Sequence, residues 1–244
     1  MTPPSTDQVL QDRLRLPPPG IPGHGGRTDR AYVRSGEEMV RSCEHLAGMT
    51  ARSRVLDIGC GAGRFLVGML ATYGTVERYV GLDVRRPVIE WASQTLPAPE
   101  LGEIAFEWID VANRRYNAGG AQSPRAGALP VAAGSFDLAV LFSVFTHMAA
   151  EDIEAYLTEI HRVLTGGGRC LATVFAEEGV LDWEENPEGY LTEWFSEWKG
   201  SLHCTRVSRS FFESSARASG FEIERFVYRN APQGKSTYVI SRQS

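Results

Sequence analysis

The segment from Val55 to Phe65 reads VLDIGCGAGRF: a short apolar strand, an acid, three alternate glycines and the start of a helix. Glycine has no Cβ and tolerates positive φ, so such a loop lets the backbone approach a ligand closely. The N–H groups at the start of the following helix point toward the same place. The segment therefore predicts a strand–loop–helix that binds a nucleotide-type cofactor.

The spacing of the glycines indicates which cofactor. A dinucleotide fingerprint needs a third glycine, which packs helix against strand, at the position that Arg64 occupies here. A long charged side chain cannot fill that role. The glycines instead stand at Gly59, Gly61 and Gly63, with Asp57 two residues before the first. This pattern resembles the first motif of the class I S-adenosylmethionine-dependent methyltransferases.

Strand and helix patterns alternate along the rest of the chain. Apolar runs predict strands at 54–58, 78–83, 104–109, 136–142 and 169–175, and helical patterns fall between them. Strands at 221–229 and 237–242, joined by a short turn, predict an antiparallel hairpin. We therefore expect an α/β fold: a doubly wound, mostly parallel seven-stranded sheet with an antiparallel C-terminal hairpin, as in the Rossmann-like methyltransferase fold. The resemblance covers residues 36–175 well and 207–243 by pattern.

The chain divides into three parts by composition. Residues 1–35 are rich in proline and glycine and predict an N-terminal arm. Residues 36–244 form the expected methyltransferase domain. Within it, residues 176–206 have no clear strand pattern and predict an acceptor cap inserted after the fifth strand.

Composition limits the partners and the compartment. The net charge of −5 and the lack of a long basic run argue against nucleic acid. No apolar run is long enough for a transmembrane helix, and the N-terminus lacks a signal core, so we expect a cytoplasmic enzyme without membrane contact. The four cysteines are scattered without a C-x-x-C pair, which predicts no metal site.

The resemblance assigns cofactor roles to residues at the strand ends. Asp83, which ends the second strand, would take the ribose hydroxyls, although it could instead cap the next helix. Asp110 would take the adenine amino group. Asp57 would meet the methionine end or order the glycine loop. The apolar neighbours of adenine would be Val84 and Val111, and the residues under the sulfonium would be Phe142 and Ser143.

The acceptor side rests on weaker signals. His147 follows the fourth strand and titrates near neutral pH in water, so it is the candidate general base; packing of the next helix is the alternative. Residues 177–197 hold eight acids and no lysine or arginine, interleaved with aromatic residues that extend to Trp198. This stretch predicts a lid over a partly apolar acceptor that is cationic or polyhydroxylated; the alternatives are an acidic face over an aromatic core and a dimer contact. The loop around 113–134, with Tyr116 and Arg125, and His24 in the arm could also border the acceptor.

We therefore expect methyl transfer from S-adenosylmethionine to a small molecule, at oxygen more than at nitrogen, by a chain that could form homodimers. The fourth strand ends in Phe142-Ser143-Val144-Phe145, without the N-P-P-Y motif of enzymes that methylate adenine or glutamine. Two alternatives stay open: a binding protein without catalysis on the same fold, and a nicotinamide-dependent oxidoreductase.

Overall fold

The computed structural model describes residues 16–18, 20–21, 28–123 and 128–243. His24, Arg125 and most of the predicted arm lie outside these ranges. The chain divides into two compact units, Met1–Trp108 and Ile109–Ser244. Each unit is described here by itself.

The first unit is a three-stranded parallel sheet with helices. Its elements are α1 (Asp29–Ala47), β1 (Arg54–Ile58), α2 (Arg64–Tyr73), β2 (Arg78–Asp83), α3 (Arg86–Thr95) and β3 (Glu103–Trp108). β2 lies between β1 and β3 and is parallel to both. Helix α1 begins at Asp29. The Thr28 hydroxyl caps it by accepting from the N–H of Ala31 at 3.3 Å.

Two glycines let α1 and α2 touch through their backbones. A Cβ added to Gly36 would lie 2.4 Å from the carbonyl oxygen of Arg64, and one added to Gly68 would lie 2.2 Å from the carbonyl carbon of Gly36. Both distances are far below van der Waals contact. The close approach fixes the position of α2, which starts directly after the glycine loop.

The second unit contains the remaining strands. Its elements are β4 (Phe136–Leu141), a 3₁₀ turn (Phe145–His147), α4 (Ala150–Val163), β5 (Leu164–Glu177), β6 (Trp183–Glu185), β7 (Thr205–Ser208), α5 (Arg209–Ala218), β8 (Phe221–Ala231), a second 3₁₀ turn (Pro232–Gly234) and β9 (Lys235–Arg242). β4 and β5 are parallel, whereas β9 runs antiparallel between β5 and β8.

The predicted fold class is confirmed: the structure is α/β, its strands are mostly parallel, and the C-terminal hairpin is antiparallel. The described residues hold nine strands instead of seven. Of the two additional strands, β6 lies in the segment 176–206, where we predicted none, and β7 begins at the end of that segment. The cause is the length of β5: β9 pairs with it up to Val174, and β7 pairs with the following residues 175–177. Strands of three and four residues are too short to show a periodic pattern in the sequence.

Within the described ranges, no helix has the length and apolar character needed to cross a lipid bilayer.

Candidate functional site

The glycine loop of the first unit has a backbone that only glycine adopts easily. Gly59, Gly61 and Gly63 have φ angles of 74°, 55° and 72°. The N–H groups of Gly59 and Cys60 donate to the carbonyl oxygen of Leu82 at 2.7 and 3.0 Å, which joins the loop to β2. A Cβ on Gly63 would lie 2.5 Å from the side chain of Leu96. The loop is therefore fixed in shape and leaves its inner surface free of side chains at the three glycines.

Asp57, at the carboxyl end of β1, is an almost fully buried carboxyl group. Only 3% of the residue is exposed, and its Oδ2 accepts a hydrogen bond from the hydroxyl of Tyr79 at 2.7 Å. Burial raises the pKa of Asp57 to about 7, and the negative charge of Asp83 adds to this, while the bond from Tyr79 acts in the opposite direction. Asp57 therefore titrates near neutral pH, and a cation bound beside it would favour its ionised form.

Asp83, at the end of β2, has a carboxylate whose acceptor capacity is filled by protein donors. Oδ2 accepts from the N–H of Gly61 at 2.9 Å and from Nη2 of Arg85 at 3.2 Å. Oδ1 accepts from the backbone N–H of Arg85 at 2.8 Å and from its Nε at 3.2 Å. A carboxylate offers about four lone-pair sites. Two hydroxyl groups of a ribose could bind Asp83 only if the guanidinium of Arg85 moved away.

Trp108 is a residue at this edge that the sequence reasoning missed. It ends β3 in register with Asp83, and its Nε1–H donates to the carbonyl oxygen of Val84 at 3.0 Å. The guanidinium of Arg86 lies 5.1 Å above the indole ring. Trp108 is 36% exposed, so it adds an aromatic surface beside Val84. Its position near the end of a predicted strand is the signal available in the sequence.

The cofactor residues predicted in the second unit lie in two loops. Asp110 accepts from Asn117 Nδ2 at 3.2 Å, and the same amide donates to the carbonyl oxygen of the buried Val111 at 3.1 Å. After β4, Phe142 is half-buried. Ser143 has a left-handed backbone with φ of 60°, and its N–H donates to Thr173 Oγ1 at 2.8 Å.

His147 is held as one tautomer. Its Nδ1 lies 2.9 Å from the carbonyl oxygen of Leu202. A carbonyl oxygen can only accept, so Nδ1 carries the proton and Nε2 has the lone pair. Burial lowers the pKa of His147 to about 4, and the nearby positive charges of Arg115 and Lys235 act in the same direction. The expectation of near-neutral titration is therefore wrong for the folded protein, because burial disfavours the imidazolium.

Three distant segments hold the turn that carries His147. Asn113 Nδ2 donates to the carbonyl oxygen of His147 at 3.0 Å. The Nε1–H of Trp183 donates to the carbonyl oxygen of Met148 at 2.9 Å. The hydroxyl of Thr205 donates to the carbonyl oxygen of Phe145 at 2.8 Å. Two of these donors belong to the segment 176–206, so this segment contacts the turn directly.

The acidic stretch does not form an unpaired negative face. Five of its acids are in ion pairs with arginines, namely Glu177 and Glu193 with Arg229, Glu178 with Arg209, Glu184 with Arg206, and Glu185 with Arg114. Its aromatic residues build a small core, which comprises Phe175, Tyr190, Leu191 and Cys204 with Phe195 and Trp198 packed against it. Trp194, by contrast, is 55% exposed.

Each unit thus gathers one part of the predicted site. In the first unit, Asp57, the glycine loop, Asp83 and Val84 meet at the carboxyl ends of β1 and β2. In the second unit, Phe142, Ser143 and His147 follow β4, and Asn113 joins the loop that contains Asp110 and Val111 to His147.

Comparison with known proteins identifies the class. Residues 56–172 match the family model described as a methyltransferase domain. Among solved structures, an S-adenosylmethionine-dependent methyltransferase from Methanosarcina mazei aligns with a TM-score of 0.54 and 15% identity, over 80% of this chain and 94% of that one. An S-adenosylmethionine-dependent methyltransferase from Mesorhizobium loti aligns with a TM-score of 0.54 and 15% identity, over 90% of this chain and 100% of that one. The [4+2]-cyclase SpnF aligns with a TM-score of 0.57 and 16% identity, over 85% of this chain and 80% of that one. At these identities the structures show a common fold.

The fold, the glycine loop and the family match define an S-adenosylmethionine-dependent methyltransferase. A methyltransferase domain therefore spans residues 56–172 of the chain, and S-adenosylmethionine is its cofactor. The nicotinamide-dependent alternative is wrong.

Proposed function

We propose that this enzyme methylates a small-molecule acceptor, at oxygen more readily than at nitrogen, and that His147 holds the acceptor hydroxyl. The observation that carries the proposal is the fixed tautomer of His147. Its Nδ1–H is committed to Leu202, so Nε2 can accept a proton or a hydrogen bond. When bound, S-adenosylmethionine supplies a methyl group on a positively charged sulfur, which already activates the leaving group.

The first unit fits the cofactor through its own residues. The three left-handed glycines leave room for close approach of a ligand to the backbone. Asp57 can ionise beside the ammonium group of the methionine end, since its pKa of about 7 needs only a small shift. Asp83 takes the ribose hydroxyls once Arg85 has moved.

The remaining predicted residues keep their proposed cofactor roles. Val84, with Trp108 beside it, borders the adenine. Asp110 accepts from the adenine amino group, and Val111 contacts the ring. Phe142 and Ser143 lie under the sulfonium, where the left-handed backbone of Ser143 redirects the chain after β4.

His147 is a weak base, and this defines its role. A base with a pKa of about 4 deprotonates a hydroxyl group only to a small extent before the methyl group is transferred. Its larger contribution is to orient the oxygen lone pair toward the methyl group, because alignment of the reacting atoms lowers the barrier of a displacement strongly.

The segment 176–206 is proposed as the acceptor cap. Support comes from its bonds to the His147 turn through Leu202 and Trp183 and from its own aromatic core. Its ion pairs favour a structural role for the acids over recognition of a cationic acceptor. A dimer contact through the exposed side chains of Leu181 and Trp194 stays a prediction. The negative net charge supports a metabolite as acceptor over nucleic acid.

A screen for labelled methyl transfer into metabolite extracts tests the proposal and identifies the acceptor. With that acceptor, His147→Asn should lower kcat by about 100-fold, because the acceptor oxygen loses its alignment with the methyl group, and should leave cofactor affinity unchanged. His161→Asn is the matched control, because that ring packs edge-on against Phe221 at 5.2 Å. An unchanged kcat in His147→Asn would refute the role of His147, and labelling of macromolecules alone would refute the small-molecule acceptor.

A further inference from the structure

We propose that the acceptor carries an anionic group, a carboxylate in the simplest case, and that Arg115 binds this group beside His147. The inference rests on the proposed acceptor site at His147 and names the chemical class of its ligand.

Arg115 is a half-buried guanidinium with an unmet hydrogen bond. Its Nη1 donates to the carbonyl oxygen of Lys199 at 3.0 Å. Its Nε is buried and has no acceptor among the described residues, nor does any carboxylate there pair with it. The neighbouring Arg114, by contrast, pairs with Glu185 at 2.7 Å. A buried donor without an acceptor destabilises a protein, and a guanidinium matches the geometry of a carboxylate. A bound anion would accept the hydrogen bond of Nε and would pair with the charge of the guanidinium.

An aromatic ring connects Arg115 to His147. The guanidinium carbon of Arg115 lies 5.4 Å from the centre of the Tyr116 ring. The same ring contacts His147 edge-on, with 5.5 Å between ring centres. Arg115 and His147 therefore share Tyr116 as a neighbour, and we place the anionic group of the acceptor at this guanidinium.

Positive charge converges on this turn. Arg115 and Lys235 each act on His147 as positive neighbours and help to lower its pKa. Lys235 is only 5% exposed, so its charge is poorly screened by water. His203 accepts from the N–H of Lys199 through Nδ1 at 2.7 Å, which leaves its Nε2 as a donor. Such a field favours a negative ligand.

The turn itself contains a second unmet polar group. The hydroxyl of Thr146 belongs to a fully buried residue and has no hydrogen-bond partner among the described residues. The acid that approaches the turn is already engaged: Glu185 accepts from the N–H of Leu202 at 2.7 Å and pairs with Arg114. Among the described residues, a hydroxyl and a guanidinium N–H near His147 therefore lack hydrogen-bond partners.

The first experiment detects the anion site without the true acceptor. Protein labelled with ¹⁵N and saturated with S-adenosylhomocysteine is titrated with sodium benzoate, while NMR follows the Arg115 Nε–H signal. This signal is assigned by its loss in Arg115→Lys. We expect saturable shifts with benzoate and none with benzamide or with sodium chloride at equal ionic strength. Equal shifts with benzamide, or none with benzoate, would overturn the proposal.

The second experiment uses the acceptor found in the methyl-transfer screen. That acceptor should carry an anionic group, and Arg115→Gln should raise its KM by about 10- to 100-fold, the fold-change of one hydrogen bond to a charged group. Arg114→Gln is the matched control and should leave KM within a few-fold. A neutral or cationic acceptor, or equal effects of both variants, would overturn the proposal. Saturable benzoate binding without methylation of any small molecule would support the anion site and refute the proposed function.

Discussion

Replacement of Arg85 should strengthen binding of the cofactor, because Arg85 occupies the carboxylate of Asp83 that the ribose hydroxyls need. In the free protein, Nε and Nη2 of Arg85 each donate to one oxygen of Asp83 at 3.2 Å. The ribose hydroxyls need those same oxygens. Binding must therefore break an ion pair whose two side chains are 24% and 5% exposed.

The magnitude follows from that exchange. A hydrogen bond to a charged group contributes about 1.5–3 kcal/mol. Both bonds here are long, and the guanidinium regains water when it leaves, so we take the lower end for the pair. Removal of the competitor in Arg85→Ala should then lower the dissociation constant by roughly 10-fold, since 1.4 kcal/mol equals one factor of ten.

Isothermal titration calorimetry with S-adenosylhomocysteine measures this effect. Arg34→Ala is a suitable control, because it removes the same charge from the surface pair with Glu38 in the same unit. The gain should vanish on the background of Asp83→Ala, which itself should bind the cofactor far more weakly. Equal or weaker binding by Arg85→Ala, or a gain that persists without Asp83, would show that Arg85 does not compete for the ribose site.

Three further predictions concern the buried acid, the cap and the helix contact. Cofactor affinity should rise as the pH increases to about 7 and then level off, because Asp57 with its raised pKa must lose a proton to meet a cation; calorimetry should show Asp57→Asn without this slope. Trp183→Ala removes the bond to Met148 and should raise the acceptor KM without changing cofactor affinity, more than the exposed Trp194→Ala does; equal loss of both affinities would contradict a cap. Gly68→Ala should lower the free energy of unfolding by about 1–3 kcal/mol in urea titrations, since its Cβ would meet the backbone of α1; an unchanged midpoint would exclude this contact.

The sequence by itself determined the elements whose pattern is local. The bounds of β1 and β2 agree with the prediction because each is a continuous apolar run that ends in a distinct signal, glycine after β1 and Asp83 in β2. The glycine loop was predictable for the same reason, since alternate glycines and a preceding acid are local features. Asp57, Gly59, Gly61, Gly63 and Asp83 therefore lie together as expected.

Tertiary structure alone decided the state of each polar group in the site. Asp83 is occupied by Arg85, a contact that depends on the rotamer of a long side chain and not on spacing. Asp57 titrates near 7 because the fold buries it. The tautomer of His147 is set by Leu202, which lies 55 residues away in the chain. Burial and hydrogen bonds between distant segments fix charge and proton position, and a one-dimensional pattern carries neither.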